Sequence, residues 1–510
     1  MTNILYDALL AKGRSAPEQL FAETDDGRIF SYADVDDIAA RFAVRLIGCG
    51  VQPGDRVAVQ VEKSIEALIL YLATVRAGAV FLPLNTAYTP TEVTYFIKDA
   101  EPALLICRPE SHTKLAPIAG LAGSKIETMG VWSPQDVDQG SFFVGVPDPG
   151  VAFETIRREQ EDLAAILYTS GTTGRSKGAM LSHRNLLSNA EVLVDYWQFS
   201  ADDILLHALP IFHTHGLFVA TNTILMAGGK LLFQRKFDVD QVIGALPGAT
   251  AMMGVPTFYT RLLDSPRFTR EVAASTRLFV SGSAPLLAET HKAFQERTGH
   301  RILERYGMTE TNMNTSNPYD GERRGGTVGF PLPGIDVKVT DPERGTPVSD
   351  GDVGMIEVRG PNVFQGYWRM PEKTAEELRE DGFFITGDLG LIDDRGYVQI
   401  VGRSKDLIIS GGYNIYPKEI ELVLDEQPGV LESAVIGVPH PDFGESPVGI
   451  LVAETGKTPD LTAIEAAMGS SLARFKQPKA LVVIEELPRN AMGKVQKNQL
   501  RDTYLDLFSG

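Results

Sequence analysis

Apolar and polar positions follow two recurring patterns along the first half of the chain. Short apolar runs at residues 55–61 and 103–107 are typical of buried strands. A longer apolar stretch at residues 64–77 indicates a buried helix, and Ser31 with Asp34 forms a capping-box pattern ahead of another helix. Strands interleaved with helices predict an α/β fold built from layered, largely parallel sheets.

The pattern changes between residues 327 and 400. Turn signals become dense there, for example at residues 333–334 and 394–396, and they separate short β-rich runs such as residues 354–358. This pattern of turns and short apolar runs predicts a small antiparallel β unit that packs on the α/β body.

The last hundred residues show a third pattern, which is of α+β character. Helix signals alternate with strand-like runs at residues 417–425, 433–438, 449–452, 461–473 and 480–484. The sequence therefore predicts a large domain over residues 1–403, which includes the β-rich subdomain, and a small C-terminal domain over residues 404–510.

The composition is that of an acidic globular protein. The 510 residues carry a formal net charge of −18, with 43% hydrophobic and 22% charged residues. A chain this acidic repels polyanions, so we expect neither nucleic acid nor an anionic membrane surface as a partner. The longest apolar helix candidate, residues 67–75, is far shorter than the ~20 residues that a membrane span requires.

Two features indicate a reducing, cytoplasmic location. The chain has two cysteines, Cys49 and Cys107, and their number and spacing fit neither a disulfide scaffold nor a zinc site. The N-terminal segment contains Asp7 and lacks a long apolar core, which does not fit a signal peptide.

The strongest chemical motif is a glycine-rich loop at residues 168–178, with the sequence YTSGTTGRSKG. It follows the apolar run 163–167. Its glycines allow tight bends, and its hydroxyl groups, backbone N–H groups and cations can surround a polyphosphate. The spacing differs from that of P-loop NTPases, and a flexible surface loop is the alternative interpretation.

This loop resembles the phosphate loop of the adenylate-forming superfamily, which comprises acyl-CoA synthetases, adenylation domains of peptide synthetases, and luciferases. The resemblance covers nearly the whole chain, because further motifs follow in the family's order. They are SGSAP (281–285), RYGMTE (305–310), TGD (386–388), GRSKD (402–406) and PRNAMGK (488–494). The resemblance implies ATP and Mg²⁺ as cofactors, coenzyme A as co-substrate, and a hinge at Lys405 ahead of a mobile C-terminal domain.

The resemblance also assigns contacts with the nucleotide to these motifs. By position, Thr309 would contact the α-phosphate, Glu310 would orient Mg²⁺, and Asp388 would bind the ribose hydroxyls. The residues assigned to nucleotide binding are Thr169, Ser170, Gly171, Thr172, Thr173, Gly174, Lys177, Ser283, Ala284, Pro285, Arg305, Tyr306, Gly307, Asp388 and Arg403.

Lys494 corresponds to the adenylation lysine of the family and forms the implied catalytic set with Thr309 and Glu310. Attack of a carboxylate on the α-phosphate of ATP gathers negative charge, which an ammonium group and Mg²⁺ can stabilise. The thiol of coenzyme A then takes the acyl group, and Gly411 and Gly412 would line the pantetheine tunnel. Acetylation would remove the charge of Lys494, so a protein acetyltransferase is a further candidate partner.

Segments at residues 212–216 (FHTHG), 254–261 (GVPTFYTR) and 311–321 bear on the acid that is activated. Together with the SGS segment they resemble malonyl-CoA synthetases. That resemblance places the distal carboxylate of malonate against His215, Arg261 and Ser283. A buried dianion needs a fixed cation, and a guanidinium group fits a carboxylate.

The residues themselves leave other interpretations open. The pair His213 and His215, which follows a strand-like run at residues 207–211, can ligate a metal or form a pocket wall. Arg261 can be a solvated residue of a helical run at residues 259–263. The favoured reaction converts malonate, ATP and CoA to malonyl-CoA, AMP and pyrophosphate, with tolerance of methylmalonate left open.

Rival functions keep the same nucleotide motifs. They are a CoA ligase for short or medium-chain monocarboxylates, a stand-alone adenylation enzyme that loads a carrier protein, and a nucleotide-binding regulator without catalysis. Luciferase-type oxidation shares the motifs as well, but a pocket built for a dicarboxylate does not suit an aromatic luciferin.

Overall fold

The computed structural model describes residues 3–130, 140–169, 176–410, 413–490 and 493–508. The chain divides into two compact units, Met1–Asp336 with Val358–Phe384, and Val337–Glu357 with Ile385–Gly510. Residues 337–357 and 385–400, which make up half of the predicted β-rich stretch, therefore group with the C-terminal residues rather than with the α/β body. The predicted boundary after residue 403 and the predicted hinge at Lys405 describe a rotation of the C-terminal domain. A division of the chain into compact units does not test such a rotation, so both stay predictions.

The helices are mostly short and alternate with strands over the first unit. Within the described residues they are α1 (Ile4–Ser15), α2 (Tyr32–Gly48), α3 (Ile65–Arg76), α4 (Pro90–Ala100), α5 (His112–Leu121), α6 (Ser141–Val144), α7 (His183–Tyr196), α8 (Thr221–Ala227), α9 (Val239–Ala245), α10 (Pro256–Leu263), α11 (Arg270–Ala273), α12 (Ala288–Thr298), α13 (Pro371–Glu377), α14 (Pro417–Asp425), α15 (Leu461–Ser471) and α16 (Lys497–Thr503). None of the helices in these described ranges combines the length and the hydropathy that a membrane crossing requires.

The strands supply four sheets. Within the described residues they are β1 (Leu20–Thr24), β2 (Ile29–Ser31), β3 (Arg56–Gln60), β4 (Val80–Pro83), β5 (Leu104–Cys107), β6 (Lys125–Thr128), β7 (Leu163–Thr169), β8 (Lys177–Ser182), β9 (Ile204–His207), β10 (Lys230–Phe233), β11 (Ala251–Gly254), β12 (Leu278–Ser281), β13 (Leu303–Met308), β14 (Asn312–Ser316), β15 (Phe330–Pro331), β16 (Asp336–Thr340), β17 (Gly354–Arg359), β18 (Phe384–Ile392), β19 (Val398–Arg403), β20 (Ile408–Ser410), β21 (Tyr413–Ile415), β22 (Val430–His440), β23 (Gly444–Ala453) and β24 (Ala480–Ile484).

Two largely parallel sheets form the body of the first unit. The strand order is β15-β14-β13-β12-β11-β9-β10-β1-β2 in the larger sheet and β6-β5-β3-β4-β7-β8 in the smaller one. Pairing is parallel through the centre of each sheet, whereas strands near the edges, such as β7 with β8 and β13 with β14, pair antiparallel. These sheets and their connecting helices confirm the predicted α/β class.

The second unit contains two smaller sheets. One has the order β16-β17-β18-β19, and the other has the order β21-β20-β23-β22 with β24 parallel to β23. An apolar cluster that includes Ile420, Leu424, Val435, Leu451 and Met468 joins α14 and α15 to the latter sheet. This α+β arrangement confirms the character that the sequence predicts for the C-terminal residues.

Local side-chain signals explain where two of the helices begin. Ser31 and Asp34 form the predicted capping box at α2, in which each side chain accepts a hydrogen bond from the backbone N–H of the other residue. Ser64 caps α3 by accepting a hydrogen bond from Ala67 N at 3.1 Å. Every residue of α3 is buried, as its apolar composition predicts.

The predicted bounds are mostly close to those observed. Helix Pro417–Asp425 and strand Ala480–Ile484 begin and end at the predicted residues. The strand predicted at residues 207–211 is wrong, because the observed strand is Ile204–His207. Pro210 lies beyond its end, and a proline has no N–H group to donate to a neighbouring strand.

Candidate active site

Two of the predicted motifs leave the carboxyl ends of adjacent parallel strands. Strand β12 ends at Ser281 and leads into Gly282 and Ser283, while the neighbouring strand β13 carries Arg305. The two strands are in register through Ser281 and Glu304. Ligands of α/β proteins bind at the carboxyl edge of the sheet, so this edge is the candidate active site.

Arg305 is a buried cation at this edge. It is 3% exposed, and its Nε and Nη2 donors are buried without a hydrogen-bond partner. Burial lowers the pKa of Arg305 to about 9, while nearby Tyr259 and Glu304 act in the opposite direction. The guanidinium therefore stays charged at neutral pH, and its unpartnered donors suit a bound carboxylate.

His215 and Ser283 meet beside this arginine. His215 Nδ1 lies 3.1 Å from Ser283 Oγ, and the fully buried ring leaves Nε2 without a partner. Burial lowers the pKa of His215 well below its usual value, and the charges of Arg305 and His213 lower it further. The imidazole is therefore neutral at pH 7 and has one N–H group for Ser283 or for a ligand.

The backbone around these side chains is unusual in two places. Ser283 has a φ of 74°, in the left-handed region that costs a non-glycine residue ~1–3 kcal/mol. A Cβ atom on Gly282 would lie 2.3 Å from the guanidinium carbon of Arg305, so a side chain at this position would displace the guanidinium group. Strain and close approach of this kind are typical of ligand sites.

Arg261 lies in a different environment. It is an exposed residue in the last turn of α10, with its guanidinium 5.1 Å from the centre of the Phe237 ring. Among the described residues, the structure joins His215 to Ser283 but records no hydrogen bond between Arg261 and either of them. The assignment of Arg261 to the distal carboxylate of the substrate stays a prediction.

The two ends of the predicted phosphate loop are fixed by a β-hairpin. Strand β7 ends at Thr169 and β8 begins at Lys177, and these two residues pair across the antiparallel ladder. Lys177 Nζ lies 3.1 Å from both carboxylate oxygens of Glu377. The intervening assigned residues, which lie outside the described ranges, are Ser170, Gly171, Thr172, Thr173 and Gly174.

The predicted magnesium ligand Glu310 follows β13. It is 5% exposed, and one carboxylate oxygen lies 3.1 Å from the hydroxyl of Tyr367. Within the described residues, no cluster of three or more His, Cys, Asp or Glu side chains could hold a metal ion. The assignment of Glu310 to Mg²⁺ stays a prediction.

The other assigned residues near these motifs are partly accessible. Tyr306 and Gly307 in β13 and Thr309 in the turn that follows it are half-buried. Ala284 is half-buried and Pro285 is exposed, directly after Ser283. Their assignment to the adenine and the α-phosphate stays a prediction.

Two further assigned residues form an ion pair in the second unit. Arg403 Nε lies 2.7 Å from a carboxylate oxygen of Asp388, which is 4% exposed, and Arg403 Nη1 donates to the carbonyl oxygen of Thr386 at 3.2 Å. The predicted ribose-binding carboxylate is thus held in place by the arginine of the predicted hinge motif. Gly411 and Gly412, assigned to the pantetheine tunnel, lie outside the described residues.

Lys494 belongs to the same unit. Its side chain is exposed, yet surrounding protein atoms partly desolvate the ammonium group and lower the pKa of Lys494 to about 8. The nearby guanidinium of Arg403 lowers this pKa further, whereas Asp388 raises it. The pKa lies close to neutrality, so the protonation state of Lys494 is sensitive to its surroundings.

The sequence pattern does not single out Tyr367, which contacts Glu310, or Glu377, which contacts Lys177. The position of Glu377 in its helix is a signal that identifies it. It is the last residue of α13, where a negative charge opposes the helix dipole, and no basic residue lies in that turn. A residue that destabilises the helix in which it lies indicates a functional constraint at that position.

Comparison with known proteins identifies the family of this chain. The AMP-binding enzyme family matches residues 11–368, and the C-terminal domain of AMP-binding enzymes matches residues 419–494. A malonate–CoA ligase of Arabidopsis thaliana is 34% identical over 93% of this chain and 85% of the relative. A feruloyl-CoA synthase of a Streptomyces species is 35% identical, covering 93% of this chain and 94% of the relative.

Solved structures extend the likeness to the whole chain. The crystal structure of ATP-bound MatB from Rhodopseudomonas palustris is 58% identical in sequence, with a TM-score of 0.96 and full coverage of both chains. The family match spans more than half of the residues, including those of the glycine-rich loop, Arg305 and Glu310. The chain therefore belongs to the AMP-binding enzyme family, which confirms the resemblance to adenylate-forming enzymes.

Proposed function

We propose that this protein is an AMP-forming malonate–CoA ligase. Malonate attacks the α-phosphate of ATP to give malonyl-adenylate and pyrophosphate, and the thiol of coenzyme A then takes the malonyl group and releases AMP. Membership of the family and the similarity to CoA ligases support the reaction type. The observation that carries the choice of malonate is the buried guanidinium of Arg305, with unpartnered donors, beside His215 and Ser283.

A dicarboxylate explains why such a cation is present. The reacting carboxylate of malonate must approach ATP, so the second carboxylate enters the protein with its charge. Burying that charge is costly unless a fixed cation and hydrogen-bond donors meet it, and a planar guanidinium can supply two parallel N–H bonds. A monocarboxylate would leave the arginine uncompensated and would be selected against.

The nucleotide half of the reaction uses groups that can stabilise negative charge. We propose that Lys177 and the glycine-rich loop hold the triphosphate, while Thr309 and Lys494 act on the α-phosphate. When bound to Glu310, Mg²⁺ supplies positive charge to the phosphate oxygens. Asp388, oriented by Arg403, would accept hydrogen bonds from the ribose hydroxyls.

The second half-reaction needs the thiol of coenzyme A in place of Lys494. We propose that residues 404–510 turn about Lys405 between the half-reactions, and that Gly411 and Gly412 border the path of pantetheine. A carrier-protein thiol is the alternative acceptor, and a product assay that contains CoA alone distinguishes the two. We further propose a cytoplasmic location, which suits two buried, unpaired cysteines and can be checked by cell fractionation.

Exchange of labelled pyrophosphate into ATP tests the substrate class. We expect exchange to be fastest with malonate and much slower with acetate, octanoate and ferulate, because these acids leave Arg305 without its partner. The exchange rates with succinate and methylmalonate measure how well the pocket accepts a longer or a branched dianion. Fast exchange with octanoate or ferulate and none with malonate would support a monocarboxylate ligase instead.

We also propose Lys494 as a site of regulatory acetylation. Because desolvation and the charge of Arg403 lower the pKa of Lys494 to about 8, a larger share of this amine is neutral near pH 7.5 than in an ordinary lysine. Acetyl phosphate reacts with neutral amines, so we expect it to acetylate Lys494 much faster than exposed Lys457, with a rate that rises as pH increases through about 8. Quantitative peptide mass spectrometry measures both rates, and equal rates at the two lysines would contradict the proposal.

A further inference from the structure

The lysine that ends the predicted phosphate loop already has an anionic partner. Lys177 Nζ lies 3.1 Å from both carboxylate oxygens of Glu377 and 4.0 Å from the centre of the Tyr367 ring. The side chains of Lys177 and Glu377 are 16% and 22% exposed, so this ion pair is partly shielded from water. A triphosphate that recruits Lys177 must therefore displace a carboxylate.

The carboxylate of Glu377 is held by more than one cation. Lys373 Nζ lies 3.0 Å away from Glu377, and Tyr367 donates its hydroxyl to Glu377 at 2.5 Å. Burial alone would raise the pKa of Glu377, but hydrogen bonds from Tyr367, Lys373 and Lys177 outweigh this effect and hold it below the usual value. Glu377 stays ionised, and Lys373 remains as its partner when Lys177 turns away.

Tyr367 connects this ion pair to the predicted magnesium ligand. Its ring is 2% exposed, and its hydroxyl lies 3.1 Å from Glu310 as well as 2.5 Å from Glu377. Burial and the charge of Glu310 raise the pKa of Tyr367, so the phenol keeps its single proton between two carboxylates. The lysine for phosphate and the carboxylate for magnesium therefore belong to one continuous network.

We propose that Glu377 is the resting counter-ion of Lys177 and competes with the phosphates of ATP and pyrophosphate for this lysine. Its charge keeps Lys177 ordered before the nucleotide binds and takes the lysine back when pyrophosphate leaves. Glu377 is thus a positioning residue that weakens phosphate binding in exchange for faster release. This inference rests on the proposed function, because it requires Lys177 to contact the phosphates.

Replacing Glu377 with glutamine tests the competition, since the amide keeps the shape and can still accept hydrogen bonds without the charge. In pyrophosphate exchange with whichever acid the wild-type enzyme accepts, we expect E377Q to lower the KM for ATP about fivefold. That is the size expected for losing a partly exposed ion pair. The inhibition constant for pyrophosphate should fall by a similar factor, and kcat should fall if release becomes limiting.

Glu376 offers a matched control in the same turn, because it pairs with Lys373 and does not contact Lys177. E376Q should leave both constants unchanged. An E377Q enzyme with unchanged or weaker binding of ATP and pyrophosphate would overturn the counter-ion role, since a purely structural carboxylate would not tighten binding when removed. A wild-type protein that binds no ATP would instead refute the proposed function, so the two failures are distinguishable.

Discussion

Replacing Lys494 with alanine is expected to lower formation of malonyl-adenylate by at least ~10²–10³-fold, which is the effect of removing one positioned donor from a developing anion. The same variant should convert supplied malonyl-adenylate and CoA to malonyl-CoA at nearly the normal rate. This expectation follows from the proposed role of Lys494, whose charge would act where the α-phosphate is attacked, whereas thioester formation proceeds at the acyl carbon. Pyrophosphate exchange and a thioester assay measure the two half-reactions separately.

Two control variants test whether the loss of activity in K494A is specific to the position and the charge of Lys494. Lys457 lies in the same compact unit and is 60% exposed, so K457A should leave both half-reactions intact. K494R keeps a positive charge with a different shape and should recover only part of the lost activity. An equal loss of both half-reactions in K494A would show that Lys494 acts on the fold or on the adenylate rather than on its formation.

The architecture could be predicted from the sequence because the controlling signals are local. The capping box at Ser31 and Asp34 and the continuous apolar stretch that became α3 involve residues only a few positions apart. The apolar pattern predicts the strand Ile204–His207 several residues too late, because its end depends on backbone pairing with β10 and β11 rather than on hydrophobicity. The order of strands in the sheets likewise depends on contacts between distant residues.

The candidate site could be predicted only in part. The motifs single out His215 and Ser283, and the structure places these two side chains in contact, whereas the assignments of Arg305 to the nucleotide and of Arg261 to the substrate stay predictions. Arg305 is buried with unpartnered donors, whereas Arg261 is exposed over an aromatic ring. The sequence does not reveal this difference, because the exposure of a side chain follows from tertiary packing. The ion pair between Lys177 and Glu377 also depends on tertiary packing, because the two residues are far apart along the chain, and the sequence therefore does not predict it.

Arg305 gives the most discriminating test of the substrate pocket, because its loss should change activity and stability in opposite directions. Replacing it with methionine, which has a similar length and no charge, is expected to lower kcat/KM for malonate by ~10²–10³-fold. This corresponds to the ~3–5 kcal/mol that is lost when one partner of a buried pair is removed. Exchange with acetate should fall much less, so the preference for the dianion should shrink.

The ligand-free R305M protein should unfold at a higher temperature than the wild type. The pKa of Arg305 is lower in the folded protein than its ordinary value, so the charged side chain is disfavoured by folding at neutral pH and its removal relieves that cost. We expect a rise of at least about 2 °C in differential scanning calorimetry, together with loss of the stabilisation that malonate and ATP provide to the wild type.

Substitution of Arg261 separates the two arginines. Because Arg261 is exposed over Phe237, R261A should leave the stability of the ligand-free protein nearly unchanged. A loss of malonate efficiency in R261A as large as that in R305M would show that both guanidinium groups hold the distal carboxylate. Normal malonate efficiency in R305M, with a large loss in R261A alone, would show that the buried cation serves another ligand group and that Arg261 selects the acid.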